Sequence, residues 1–291
     1  MNGLLVIDKP SAMTSHDVVS RLRRATGESM IGHLGTLDPM ATGVLPLLLG
    51  KYTRLAQFFG PMPKAYTGAI RFGFATDTYD ADGIPVGPVA TSLPTNEEIQ
   101  AAAFHFRGQV EQTPPPFSAK KVDGKPAYKA ARRGETVVLK PVSLTIDEFV
   151  IGEREGEYAE FSMRISSGGY VRSVAYDLGR ALGCGAHLAR LRRVAAGPFT
   201  LEQALTLEEM CALAAGGSLE QSLPHPRTLL PELPATTADA WVAGRLRNGN
   251  AVNLPEFSNA PLAKVFAGQR DLVAIVRRVA GTLFQPIVVL G

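Results

Sequence analysis

The sequence is poor in the features that would set it apart from ordinary globular proteins. Only two cysteines occur, Cys184 and Cys211; they fit a reducing compartment and allow at most one disulfide. The longest apolar run, around Leu47, falls well short of the roughly 20 residues that a membrane-spanning helix needs. The stretch from Met1 to Pro10 lacks both a basic region ahead of its apolar residues and a small-residue cleavage site. Neither export nor membrane insertion is expected, so the expected location is cytoplasmic. There is no internal repeat and no low-complexity tract. Net charge is also low: 30 Lys and Arg against 27 Asp and Glu give +3, too little to announce a nucleic-acid partner by itself.

What is present is a chain of 291 residues, 45% hydrophobic and 20% charged, long enough for one sizeable core and a smaller module. Leu4 to Ile7 reads as a strand, and Ser15 is placed to cap a helix from His16 to Thr26, stopped by Gly27. Tyr52 to Phe59 reads as helical. Residues Tyr66 to Phe74 and Ala159 to Ile165 alternate with the two-residue period of half-buried strands. Thr95 and Thr206 each stand three residues before a glutamate, the capping-box spacing that opens a helix. A further helix follows Gly168-Gly169, with Tyr170 and Arg172 at its start and Gly183 after it. A cation there opposes the helix dipole, which suggests a specific anionic partner for Arg172. Four prolines between Pro224 and Pro234 mark a linker, after which a short helix and glycine-separated strands suggest a small β module. The resulting division is 1–223, a linker at 224–234, and 235–291.

Charge is concentrated more than it is abundant. Between Ser118 and Pro141 stand Lys120, Lys121, Lys125, Lys129, Arg132, Arg133 and Lys140 against Asp123 and Glu135, with Phe117 and Tyr128 interleaved. Such a run is either a solvated loop or a surface for an anionic partner. Ala127 to Arg133 reads as a short helix within it. Arg190, Arg192 and Arg193 form a second basic cluster.

One stretch carries a chemical signal. From Gly32 to Gly43 three glycines and Pro39 enclose a single carboxylate, Asp38, held in a rigid turn beside Leu37. That setting suits an acid tuned for nucleophilic or acid–base work, and equally a structural cap. Several alternatives fail on spacing. A phosphate-binding loop needs four residues between Gly43 and Gly50-Lys51 and a Ser or Thr at Tyr52. A calcium loop starting at Thr78 lacks its first ligand and has Val89 where a bidentate glutamate belongs. Cys184 with His187 falls short of a metal-ligand set. Aspartic-protease and glycosidase chemistry needs a second carboxylate in this loop.

The full string, Gly32-His33-Leu34-Gly35-Thr36-Leu37-Asp38-Pro39-Met40-Ala41-Thr42-Gly43-Val44-Leu45, resembles the catalytic loop of the TruB family of tRNA pseudouridine-55 synthases, Gly-His-x-Gly-x-Leu-Asp-Pro-x-Ala-x-Gly-x-Leu, with every fixed position filled. Four more stretches resemble the same family in the expected order: Thr76 to Gly83, Ser118 to Gly124, Gly168 to Arg172, and Leu188 to Ala195. The resemblance implies an α+β fold with a mixed, largely antiparallel sheet and flanking helices, plus a C-terminal β module like a PUA domain. It implies that Asp38 is the nucleophile, on C6 of the uracil or on C1′ of the ribose. It implies that Arg172 pairs with Asp38, that Tyr66, Tyr170 and Leu191 line the base pocket, that His33 helps hold everted nucleotides, and that Asp80 orients the site. Lys120, Lys121, Arg132 and Arg133 would contact the RNA backbone from a thumb loop at about 114–141. The implied substrate is uridine 55 in the T-arm of tRNA, the implied protein a monomer, and neither cofactor nor metal is implied. The competing expectation is an RNA-binding or RNA-folding protein that uses the same basic surface without chemistry.

Overall fold

A computed structural model describes residues 1–118, 120–122, 125, 126, 130, 133, 135, 139–257 and 259–291. The first half of the main sheet comes from β1 (Gly3–Lys9), β2 (Ile31–His33), β3 (Thr42–Leu49) and β4 (Lys64–Phe72). The second half comes from β5 (Gly108–Gln112), β6 (Val142–Glu155), β7 (Tyr158–Ile165) and β8 (Ala186–Ala196). The flanking helices are α1 (Ser15–Thr26), α2 (Asn96–Phe104), α3 (Val171–Ala181) and α4 (Leu207–Ala215). Strand order is β1-β3-β8-β4-β7-β6-β5, with β2 also paired to β3. All these pairings are antiparallel except that of β8 with β3. The sheet is therefore mixed and largely antiparallel.

Two kinds of strand build it. β7 alternates buried Ala159, Phe161, Met163 and Ile165 with more exposed partners, because only one of its faces is covered. β1 and β3 do not alternate, because both of their faces are covered. Leu5, Ile7, Leu45, Leu47 and Leu49 join the core under α1, whereas Leu4, Val6, Val44 and Leu48 join a second core on the opposite face. The apolar run through Leu47 is thus a strand buried on both sides.

The parallel contact of β3 with β8 is unusually close. A Cβ at Gly43 would sit 2.2 Å from the Arg193 carbonyl oxygen, and Gly43 has φ of 102°. Only glycine fits both requirements. Helix α1 is capped one residue earlier than its sequence suggests. Thr14 Oγ1 accepts from the Asp17 amide at 3.0 Å, and Asp17 Oδ2 accepts from the Thr14 amide at 2.8 Å. This frees Ser15, whose Oγ accepts from the Leu37 amide at 2.8 Å and donates to the Leu37 carbonyl at 3.2 Å. The cap shift therefore supplies a tether for the loop that holds Asp38.

A second sheet forms from β9 (Ala235–Ala238), β10 (Val252–Asn253), β11 (Leu262–Ala267), β12 (Asp271–Ala280) and β13 (Leu283–Val289), in the order β9-β11-β12-β13-β10. Helix α5 (Ala240–Arg247) covers one face. On the other side Phe266, Leu272, Ile275, Val288 and Leu290 pack into one cluster with Leu4, Val6, Val44, Leu48, Tyr52 and Leu55 of the first sheet. The segment 224–234 does not run free between the sheets. Leu229 and Leu230 are buried in that shared cluster, and the fully buried Lys264 donates to the carbonyls of Arg227, Leu229 and Leu230 at 3.0, 2.7 and 3.0 Å. Among the described residues no helix is long and apolar enough to cross a membrane.

A core shared by two sheets couples their stabilities. Leu48→Ala, on the first sheet, is expected to destabilise the protein by about 2–5 kcal/mol, the range for a buried leucine truncation. It is also expected to speed amide hydrogen exchange in β11, β12 and β13, which mass-spectrometric exchange would read directly. Unchanged protection there would mean that the C-terminal sheet is held independently.

Candidate active site

The site forms where loop 34–41 meets the start of α3. Arg172 is almost fully buried, and its guanidinium spans two carboxylates. Nε lies 2.8 Å from Asp38 Oδ2 in an ion pair that is not aligned as a hydrogen bond, while Nη2 donates to Asp38 Oδ1 at 3.1 Å. Nη1 lies 3.3 Å from Asp80 Oδ2. The remaining donors reach the carbonyls of Thr78 and Phe117, each at 3.0 Å. Arg172 thus spans the Asp38 loop, the Thr76–Gly83 turn and the root of the basic loop. The Asp38 side chain is 33% exposed against 5% for Arg172, so the carboxylate faces an open cleft from a buried partner.

Asp80 is buried, not part of a solvated turn. Its Oδ1 accepts from Thr78 Oγ1 at 2.6 Å and from the Asp82 amide at 3.1 Å, and the turn is tied to β8 by the Leu188 amide donating to the Tyr79 carbonyl at 3.0 Å. Neighbouring Asp82 titrates above the usual carboxylate range because burial, and then the charges of Asp80 and Asp38, disfavour its ionised form.

The cleft beside Asp38 is lined by Tyr66, Tyr170, Arg172, Leu191 and Lys64. Tyr66, from β4, offers its ring from a buried position; desolvation pushes its hydroxyl up, opposed by the nearby Arg193 charge. Tyr170 caps α3 without a side-chain cap bond; Gln112 instead holds its backbone through bonds of 2.8 and 3.0 Å. His33 lines an adjoining part of the site with Asp38, Asp80 and Arg172. Burial, then Arg193 and His16, lower the His33 pKa, and its Nδ1 accepts from the Gly35 amide at 3.4 Å, so the ring is held neutral. Tyr66, Tyr170 and Leu191 thus line one cavity and His33 and Asp80 the adjoining one, with Asp38 and Arg172 shared by both.

The basic residues divide differently. Lys120 is exposed, and Lys121 belongs to a short strand with Val122. Arg133 pairs with Glu135 at 2.7 Å. Arg132, Tyr128, Lys129 and most of the helix expected from Ala127 to Arg133 lie outside the described residues. The second basic cluster is not a free cationic patch. Arg190 pairs with Glu160, and Arg192 binds both oxygens of Asp8, at 3.0 and 2.7 Å.

Arg193 was read only as part of that patch, yet it is fully buried beneath the Asp38 loop. Nε donates to the Val44 carbonyl at 2.7 Å, Nη1 to Thr36 at 3.2 Å and Nη2 to Gly35 at 3.1 Å. Lys9, also fully buried, donates to the carbonyls of Met13, Pro10 and Pro39 at 2.6, 2.8 and 3.2 Å. Two buried cations thus hold the loop from below on either side of Asp38. A signal existed for Arg193: in a strand, adjacent residues face opposite sides, so an Arg-Arg pair puts one of them inward.

The family model described as TruB family pseudouridylate synthase, N-terminal domain, matches residues 23–171, and the tRNA pseudouridylate synthase B C-terminal domain model matches residues 172–231. A protein of Solibacter usitatus named tRNA pseudouridine synthase B is 45% identical over 100% of both chains. One of the same name from Aquifex aeolicus is 42% identical over 91% of this chain and 92% of its own. Among solved structures, a Cbf5-Nop10-Gar1 complex contains a chain that matches 96% of this one, over 79% of its own length, with a TM-score of 0.68 at 24% identity. That likeness concerns the fold.

The Lys9 ammonium has its pKa lowered from 10.5 to about 8, chiefly by burial. Between these values the unfolded chain holds a proton that the folded protein has lost, so this group makes stability rise with pH from about 8 to 10.5. Lys9→Met is expected to abolish that part of the rise. Urea denaturation of both proteins across this pH range measures the difference; parallel stability curves would contradict the assignment.

Proposed function

The chain belongs to the TruB family of pseudouridylate synthases, and from that premise we propose that it isomerises uridine 55 in the T-arm of tRNA to pseudouridine, as a cytoplasmic monomer, with Asp38 as the nucleophile. The observation that carries this reading is the Asp38 carboxylate, aimed into a cleft with an aromatic wall and held by a buried bidentate arginine. The reaction breaks the C1′–N1 bond of the nucleotide, forms a C1′–C5 bond, and moves one proton from C5 to N1. It is neutral in electrons, so beyond the transient attack by Asp38 the residues of the chain have only to bind, orient and transfer protons.

The base must leave the RNA stack to reach Asp38, since a carboxylate rooted in a cleft cannot enter a folded arm. Tyr66 gives the everted uracil a stacking surface, with Leu191 and Tyr170 closing the pocket. His33, neutral and at the rim, holds displaced nucleotides by packing and hydrogen bonding. Arg172 orients Asp38, and Asp80 fixes Arg172. In this account residues 1–223 carry the chemistry, with the thumb loop at about 114–141 and residues 235–291 adding contact surface for RNA.

Asp38→Asn keeps the shape of the side chain and removes its nucleophilic charge. Pseudouridine formation is expected to fall to background with enzyme in excess, while filter binding of tRNA persists with at most a modest loss. Pseudouridine retained by verified variant protein would falsify the assignment of Asp38. An unmutated protein that binds but never modifies tRNA would favour the non-catalytic alternative.

Neutralising Lys120, Lys121, Arg132 and Arg133 together tests the thumb. Each lost phosphate contact is expected to lower the salt slope of binding by about one unit. Unchanged affinity and slope would leave these four residues as solvated charges.

A further inference from the structure

Among the described residues, Lys64 is the one charged side chain lining the cleft for which neither the sequence pattern nor the reaction has supplied a task. It opens β4, between Ile165 of β7 and Ala196 of β8, and lines the same cleft as Asp38, Tyr66, Tyr170, Arg172 and Leu191. Its surroundings differ from those of the other lysines shut into this fold. An ammonium has three donors and no acceptor. Lys9 and Lys264 each place theirs on three carbonyls. Lys64 Nζ reaches the Met62 carbonyl alone, at 3.3 Å, and among the described residues no carboxylate lies within 4.0 Å of it.

A charge of the same sign acts on Lys64. Burial, and then the Arg193 guanidinium, lower its pKa from the usual lysine value. The loop opposite is close: a Cβ at Gly35 would lie 3.4 Å from Lys64 Cε, and Gly35 adopts φ of 140°, so a bare backbone leaves the lysine its room. A partly buried cation with open donors, repelled by its neighbour and facing a cleft, is completed by an anion. The anion that an everted nucleotide brings with it is its phosphodiester, and an ammonium binds phosphate as a compact point charge.

We propose that Lys64 binds one of the two backbone phosphates that flank the everted uridine, anchoring the nucleotide on the side of the cleft opposite Arg172. This rests on the uridine-isomerising reading of the same cleft. Lys64 is a binding residue in this account, separate from the thumb loop and from the residues that touch the base.

The test uses the full chain and T-arm stem-loop RNAs that carry an uncharged methylphosphonate at one or the other flanking position. Lys64→Met is expected to weaken binding of the unmodified RNA about tenfold at low salt, as one lost charge-assisted contact would, and to lower the salt slope by about one unit. One of the two methylphosphonates is expected to weaken wild-type binding similarly and to have no further effect on Lys64→Met. Unchanged affinity of Lys64→Met would overturn the proposal, and so would equal weakening of both proteins at both positions. A wild-type protein indifferent to both methylphosphonates overturns it without recourse to any variant. Pseudouridine formation by wild-type protein on the unmodified stem-loop is scored separately, so failure of the reaction is distinguishable from failure of the phosphate contact.

Discussion

The site depends on burying cations under a loop that has almost no regular structure of its own. Between His33 and Thr42 the chain forms no strand or helix, so its carbonyls lack the partners that secondary structure would provide. Arg193 satisfies those of Gly35 and Thr36, Lys9 satisfies that of Pro39, and Ser15 closes both backbone groups of Leu37. Asp38 lies between these anchors and is fixed in turn by Arg172. A loop fastened at successive residues behaves as a rigid platform even without regular structure. Rigidity of this kind holds the Asp38 carboxylate in one orientation toward the cleft.

The same device recurs far from the cleft. Lys264 gathers three carbonyls from the segment leading into the second sheet, where Leu230 takes a left-handed backbone conformation with φ of 52°. In each case an irregular piece of chain is made part of the core by a cation that accepts no hydrogen bonds and can serve several carbonyls at once. The cost of burying such a charge is considerable, and the lowered pKa values of Lys9 and Lys264 reflect it.

Much of this was legible in the sequence where local rules act alone. The alternation in β4 and β7 showed through because one face of each is polar. The capping boxes at Thr95 and Thr206 formed as their spacing required. The loop motif brought His33, Tyr66, Asp80, Tyr170, Arg172 and Leu191 together with Asp38 only through the family resemblance, since no spacing rule connects residues from five separate stretches. β3 was hidden because burial on both faces erases alternation, and Pro46 argues against a strand. Thr14 was overlooked as a cap because Ser15 beside it is an equally good one; the choice was made by the Leu37 backbone, which needed Ser15. Arg193 was hidden among exposed arginines because composition does not register the side of a strand on which a residue falls.

The bonds that assemble the cleft reach across most of the chain. Arg172 meets Asp38 over 134 residues, Arg193 meets Gly35 over 158, and Arg192 meets Asp8 over 184. During synthesis from the N-terminus, the loop that bears Asp38 emerges soon after Lys9 and Ser15 but long before Arg172 and Arg193, which complete its fastening. Closing contacts of such span is slow, because the entropy of the intervening chain must be overcome before any of them forms. A ribosome-bound fragment ending before β8 would therefore carry Asp38 on a loop that Lys9, Ser15 and Arg172 can reach but Arg193 cannot, and the last anchor would arrive late, when the strand bearing Arg192 and Arg193 slots between β3 and β4.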